Sequence, residues 1–186
     1  FPCFIKPKDG SSSIGAFKVE DKEELIVYAR QVEDYIIQSF VTGKEFTIDI
    51  FCDFDGNPIY ITPRERVQIR AGEVLKTRIY MDEIMVEEAK KLCEVFKPCG
   101  PITIQLIQDK NTGDNYYIEI NPRYGGGAPL SMKSGARSAE ALLRLISGEK
   151  LIYQENHICN GDIYSRFDQS VCIYEGDNIH PIKGVI

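Results

Sequence analysis

The chain contains no tryptophan, only two histidines, and fewer basic than acidic side chains, which leaves a net charge of −6. Each scarcity excludes something. His157 and His180 sit in polar, loop-like surroundings without a nucleophile beside them, so both are predicted at the surface and no Ser-His-Asp or Cys-His catalytic arrangement is expected. The acidic balance argues against a nucleic-acid partner, which would call for a basic stripe, and no basic amphipathic helix points to a membrane surface. No apolar run approaches the roughly 20 residues of a membrane span, and Phe1-Pro2-Cys3-Phe4-Ile5-Lys6 lacks the charged-then-apolar layout of a signal peptide. A cytoplasmic location is therefore expected. The six cysteines (Cys3, Cys52, Cys93, Cys99, Cys159 and Cys172) are scattered without a Cys-x-x-Cys pair, which predicts buried, reduced thiols in place of a zinc site.

What is present suits a globular protein. With 186 residues and 43% apolar content, the chain can form one good core or two small lobes sharing a site. Its first residues already read as a strand and Ile182-Lys183-Gly184-Val185-Ile186 reads as another cut short, so a piece of a longer protein is expected.

The densest chemistry lies in Tyr117-Ile118-Glu119-Ile120-Asn121-Pro122-Arg123-Tyr124-Gly125-Gly126-Gly127. A strand here turns Glu119 and Asn121 to one face, because side chains two apart point the same way. Pro122 and the glycines end it, leaving Arg123 in a flexible turn. A carboxylate, an amide oxygen and a guanidinium suit a divalent cation bridging phosphates; an ordinary Gly/Pro turn fits the same residues. The strand Ile102–Gln108 precedes it across the turn Asp109–Asp114, and antiparallel pairing would set Gln105 beside Glu119.

Upstream, the strand Cys3–Lys6, the loop holding Ser11, Ser12 and Ser13, and the strand Ala16–Val19 form a hairpin. Its tip could lay backbone N–H groups and hydroxyls over phosphates, with a lysine as point charge, or be a plain solvated hairpin. It is not a Walker loop, since the lysine comes first and a strand follows. Asp21 caps a helix from Lys22 to Gln31, with Glu24 at the capping-box position. Tyr35–Val41 and Glu45–Phe51 flank the turn Thr42-Gly43-Lys44 and read as an antiparallel pair. The strand Pro58–Pro63 follows. Arg64, Arg66, Arg70, Lys76 and Arg78 then make a basic cluster that faces either an anionic ligand or solvent. A helix from Met81 or Asp82 to Lys97 carries Ile84, Met85, Ala89, Leu92, Cys93 and Phe96 as its core stripe. Further helix is expected between Pro129 and Gly148, best from Ser138 to Ser147. Asp162–Asp168, with Arg166, and Ser170–Tyr174 read as strands.

In this order the pieces resemble the ATP-grasp superfamily over roughly residues 1 to 150, and the metal-site residues are most similar to those of the carbamoyl-phosphate synthase large subunit. The resemblance implies an α+β fold of two sheet-containing lobes clasping ATP: a smaller lobe over 1–42, a larger one over 43–175, and a linker or following domain from 176 to 186. It implies that Lys6 and Ser11, Ser12 and Ser13 cover the phosphates. Gln38-Ser39-Phe40-Val41 would be the adenine hinge, with the Ser39 and Val41 backbones at the adenine edge and Glu45 on the ribose hydroxyls. Gln38 stands where many members have Glu, which leaves the backbone contacts to hold adenine. Gln105, Glu119 and Asn121 match the metal triad, whose first place is Gln in the carbamoyl-phosphate synthases, so Glu119 would be its only charge. Arg123 matches the arginine on the γ-phosphate and the acyl phosphate.

The implied activity is a C–N ligase that consumes ATP with Mg2+, Mn2+ being the alternative ion, and joins a small carboxylate or bicarbonate to an amine through an acyl phosphate. Arg64, Arg66, Arg70 and Lys76 are then candidates for holding the carboxylate. A preceding lobe of the same protein would complete the site, and Ile182–Ile186 resembles the first strand of haloacid-dehalogenase-like phosphatase domains. The alternatives are a nucleotide-binding regulatory module of a larger multidomain protein, without turnover, and a structural lobe.

Overall fold

In a computed structural model of the chain, residues 1–9, 14–155, 158–167, 174–175 and 178–179 are described. Ser11, Ser12, Ser13, His157, Cys172, His180 and Ile182–Ile186 lie outside them, as does most of the strand expected over Ser170–Tyr174.

Strands β1 (Cys3–Pro7) and β2 (Phe17–Val19) pair antiparallel, and β3 (Tyr35–Ser39) pairs with the other edge of β1. Helix α1 (Lys22–Ala29) begins at Asp21, whose carboxylate accepts the Glu24 N–H at 2.9 Å, while the Glu24 carboxylate reaches back to the Glu20 N–H at 2.8 Å. This reciprocal pair satisfies two N–H groups that a helix start leaves unpaired. The helix stops at Ala29, short of Gln31. Tyr28 stacks on Phe17 at 4.3 Å, so α1 covers the sheet face that carries Phe17, Ile5 and Val19, the last two fully buried.

A second sheet holds six strands in the order β8-β7-β4-β5-β6-β9. It comprises β4 (Gly43–Cys52), β5 (Pro58–Arg70), β6 (Glu73–Ile79), β7 (Gly100–Asp109), β8 (Asn115–Asn121) and β9 (Ile163–Ser165). The pairing expected between Tyr35–Val41 and Glu45–Phe51 does not form. β3 joins β1 while β4 joins β5 and β7, so residues 40–42 carry the chain from one sheet to the other. The basic segment after Pro63 is part of the sheet. β5 continues through it to Arg70 and returns as β6.

Helix α2 (Glu83–Phe96) is capped by Asp82, whose carboxylate accepts the Met85 N–H at 2.9 Å. Its Met85, Val86, Ala89 and Cys93 pack on Phe46, Ile48, Ile50, Ile61, Ile102, Ile104 and Leu106, alternate residues of β4, β5 and β7. Ile84 and Phe96, expected in this stripe, are exposed, because the buried arc is centred on Met85 and Ala89. Cys52 and Cys93 lie in this core with their sulfurs 3.7 Å apart. Their hydrogen bond and burial push the Cys52 thiol up, which keeps it protonated. Cys99 and Cys159 are exposed, contrary to the expectation of buried thiols, since both fall in connecting segments.

The other sheet face is apolar at one end. There Phe51, Ile59 and Tyr60 meet Ala136, Ala141 and Leu145 beneath α4 (Ser138–Ile146), which follows the shorter α3 (Ala128–Ser134). Arg166 lies one residue past β9, where its guanidinium meets Glu73 at 2.9 Å. Tyr174–Glu175 pairs with Asn178–Ile179. No helix among the described residues is long and apolar enough to cross a membrane.

Candidate functional site

Along β4 the face opposite α2 reads Glu45, Thr47, Asp49, Phe51, a change from polar to apolar in four steps. Antiparallel register puts Gln105 of β7 and Arg64 of β5 opposite Thr47, and Thr103 and Thr62 opposite Asp49. β8 adds Glu119 opposite Gln105 and Asn121 opposite Thr103. Because facing residues share a side of the sheet, these polar groups form one surface.

Glu119 is its focus. Its Oε1 accepts the Gln105 side-chain amide at 2.6 Å and the Asn121 amide at 2.9 Å. With both amide N–H groups on one carboxylate oxygen, the two amide oxygens and Glu119 Oε2 remain to act as ligands. Three oxygen donors with a single charge fit a hard divalent cation that takes its other ligands from water or phosphate. Among the described residues no three His, Cys, Asp or Glu side chains come together, so the charge of this triad comes from Glu119.

Arg66 lies beside it, its side chain 8% exposed, with Nε 3.3 Å from Glu45 Oε2 and Nη2 donating to the Gly72 carbonyl at 2.8 Å. Burial holds the guanidinium below its ordinary value, opposed by Glu45 and less strongly by Glu119, and the group stays cationic. Arg66 thus faces both the carboxylate expected on ribose and the carboxylate of the triad.

The turn after β8 is shaped by close approach. None of Gly125, Gly126 and Gly127 has a positive φ. A Cβ on Gly126 would meet the Glu73 carboxylate, and one on Gly127 would lie 2.5 Å from Arg64 Nη2. The glycines let the backbone settle on β5 and β6, with Arg123 exposed at the start of the turn.

Other candidates fall elsewhere. Lys6 is half-buried on β1 opposite Ile36, and Gln38 on β3 opposite Phe4, so both face away from α1. Lys18 shares that face, its ammonium 4.6 Å above the Phe40 ring. Ser39 ends β3, and Val41 lies in the connection to the larger sheet. Of the basic cluster, Arg64 and Arg66 face Glu119's side of the sheet. Lys76 adjoins Thr77, the partner of Arg66, and so points the other way; Arg70 lies at the hairpin end opposite Glu73. Arg64 is 1% exposed and ion-paired to Asp49 at 2.8 Å.

Sequence reasoning passed over Asp49, Thr103 and Ser131, which surround that pair. The available signal was the polar alternation Glu45-x-Thr47-x-Asp49 in a strand whose other face is wholly apolar.

A family model described as an ATP-grasp domain matches residues 2–127. The D-alanine–D-alanine ligase of Francisella tularensis subsp. holarctica is 31% identical over 149 residues, covering 73% of this chain and 50% of that protein. The biotin carboxylase–β,γ-ATP complex of Campylobacter jejuni superposes with a TM-score of 0.75 at 20% identity, over 88% of this chain and 40% of that one. The biotin carboxylase domain of Hydrogenobacter thermophilus 2-oxoglutarate carboxylase, solved with MgADP, ADP and bicarbonate, gives 0.69 at 20% identity over the same shares. The chain spans about half the length of the curated relatives it matches. Its α+β architecture, with a three-stranded and a six-stranded antiparallel sheet, is that of the ATP-grasp fold, and with the family model matching most of its length, this chain belongs to the ATP-grasp family.

Proposed function

We propose that the full-length protein is a Mg2+-dependent ligase that spends ATP to join a small carboxylate, or bicarbonate, to an amine. The observation that carries this reading is the convergence of Gln105 and Asn121 on Glu119, with Arg123 in the turn two residues past the end of that strand. The relatives support the coarse activity: one is a D-alanine–D-alanine ligase, and another was solved with MgADP and bicarbonate. Gln at the first triad place supports a carbamoyl-phosphate synthase-like variety.

Glu119 and the amide oxygens of Gln105 and Asn121 would hold the Mg2+, with Mn2+ as the alternative. When bound, the ion neutralises phosphate charge and fixes the phosphate oxygens. Residues 1–42 and 43–175 serve as the two lobes. Lys6 and Ser11, Ser12 and Ser13 would cover the phosphates, Gln38, Ser39 and Val41 would take the adenine, and Glu45 the ribose hydroxyls. An acceptor carboxylate oxygen attacks the γ-phosphorus, the bond to the β,γ-bridging oxygen breaks, and ADP leaves. Arg123 and Lys6 offset the charge that builds on the transferred group. The amine nitrogen then attacks the acyl carbon, phosphate departs with the bonding pair, and the ammonium proton passes to solvent. Of the four basic acceptor candidates, Arg66 fits best, because it shares the face of Glu119 and feels its charge, whereas Arg64 is 1% exposed and Lys76 points to the opposite face. A preceding lobe of the same protein would complete the acceptor side.

Phosphate release from ATP by the full-length protein, measured with and without Mg2+ against carboxylates, amino acids and bicarbonate with amine donors, tests this reading. Release that needs Mg2+ and one acceptor class is expected. Mg-ATP binding without release under any condition would indicate a regulatory module; absence of both would overturn the reading.

A further inference from the structure

The turn that carries Arg123 has no regular structure from Pro122 to Gly127, so its shape comes from what holds it. Two of its backbone groups are bonded to one cluster and a third point lies against it. Thr103 Oγ1 accepts the Gly125 N–H at 2.9 Å and donates to the Arg123 carbonyl at 3.1 Å, with Asp49 Oδ1 at 3.3 Å as a competing acceptor. The Arg64 guanidinium lies against Gly127, so close that an added Cβ there would be 2.5 Å from Nη2. Asp49 organises both, because its Oδ2 accepts Arg64 Nε at 2.8 Å and Ser131 Oγ at 2.5 Å, the latter from the helix that follows the turn. The carboxylate is 11% exposed and the guanidinium 1%, so this pair has little freedom to move.

Neither Thr103 nor Asp49 belongs to the triad, yet Thr103 opposes Asn121 in register and holds the backbone of Arg123. We propose that Thr103, beside the buried Asp49–Arg64 pair, is a positioning residue that fixes the Arg123 turn relative to Glu119. The inference rests on the ATP-dependent reading for its catalytic consequence but not for its geometry. A displacement of about 1 Å at a reacting group can cost on the order of 100-fold in rate, so one hydroxyl holding two backbone groups of this turn matters beyond its hydrogen bonds.

The test compares Thr103→Val, which keeps the side chain's shape and removes the hydroxyl, with Thr103→Ser, which keeps the hydroxyl. Native-state hydrogen exchange of the Gly125 amide is readable whether or not the full-length protein turns ATP over. Thr103→Val should speed it at least about tenfold, the loss of roughly 1.4 kcal/mol of local protection, with Thr103→Ser close to wild type. Phosphate release should show kcat falling roughly 10- to 100-fold in Thr103→Val, with KM for ATP and melting temperature nearly unchanged, and recovery in Thr103→Ser. Unchanged Gly125 exchange in Thr103→Val would overturn the geometric claim, and unchanged kcat or an equal loss in Thr103→Ser would overturn the positioning role. If wild type shows no turnover, the ligase reading fails while the exchange comparison still decides whether Thr103 holds the turn.

Discussion

Gln105 and Glu119 face each other across β7 and β8, and the glutamine amide donates to the carboxylate at 2.6 Å. A glutamine here shields Glu119 without adding charge. Gln105→Glu would put a second carboxylate at that distance, and like charges directly opposed on a sheet cost up to about 1 kcal/mol. The full-length variant should therefore melt a few degrees lower than wild type in EDTA and gain more from added Mg2+. Thermal melts at graded Mg2+ check this; equal Mg2+ shifts in the two proteins would count against the triad.

Gly127 lies so close to Arg64 that an added methyl would sit 2.5 Å from Nη2. The guanidinium is buried and ion-paired, so it has no room to give. Gly127→Ala should destabilise the protein by about 1–3 kcal/mol through overpacking, seen as a lower urea midpoint at unchanged slope.

Arg64 and Asp49 form a nearly buried pair. Removing one partner leaves the other charge uncompensated, which typically costs about 3–5 kcal/mol. Arg64→Met should fall near the lower end, because Ser131 still donates to Asp49. Urea denaturation measures it, and a cost under about 1 kcal/mol would contradict the pairing's importance.

Asp53 closes the turn between β4 and β5, accepting the Asp55 and Asn57 N–H groups at 2.9 and 2.8 Å and the Asn57 amide at 2.9 Å. Slight burial works to raise its pKa, but the bonds from Asn57, Asp55 and Gly56 outweigh it and hold the carboxyl below the usual range. A depressed folded value means that its stabilisation is present above the ordinary aspartate pKa and fades as pH falls through the folded one. Asp53→Asn should therefore cost stability at neutral pH and progressively less below about pH 4. Urea midpoints of both proteins from pH 3 to pH 7 check the convergence.

Much of the larger sheet was legible because its signals are local. The turn at Asp109–Asp114 fixed the β7–β8 register, and Asp21 announced α1 as its cap. The change of sheet after β3 was not, since residues 40–42 join two good strands in the same way whether those strands pair with each other or with others. Nor could the sequence show which arginines of β5 are buried. Arg64 is accommodated only because Asp49, fifteen residues earlier, meets it across the sheet, and Ser131 and Gly127 approach from the far end of the fold. The Glu45–Thr47–Asp49 alternation marked the polar face without revealing what it faces.

The central claim is that Glu119, with Gln105 and Asn121, grips Mg-ATP. Calorimetric titration of the full-length protein with ATP, with and without Mg2+, in wild type and Glu119→Gln, tests it most directly. The account predicts that Mg2+ tightens ATP binding in wild type and that the variant loses most of that gain, at least about tenfold or 1.4 kcal/mol. Equal Mg2+ dependence in both proteins would contradict it.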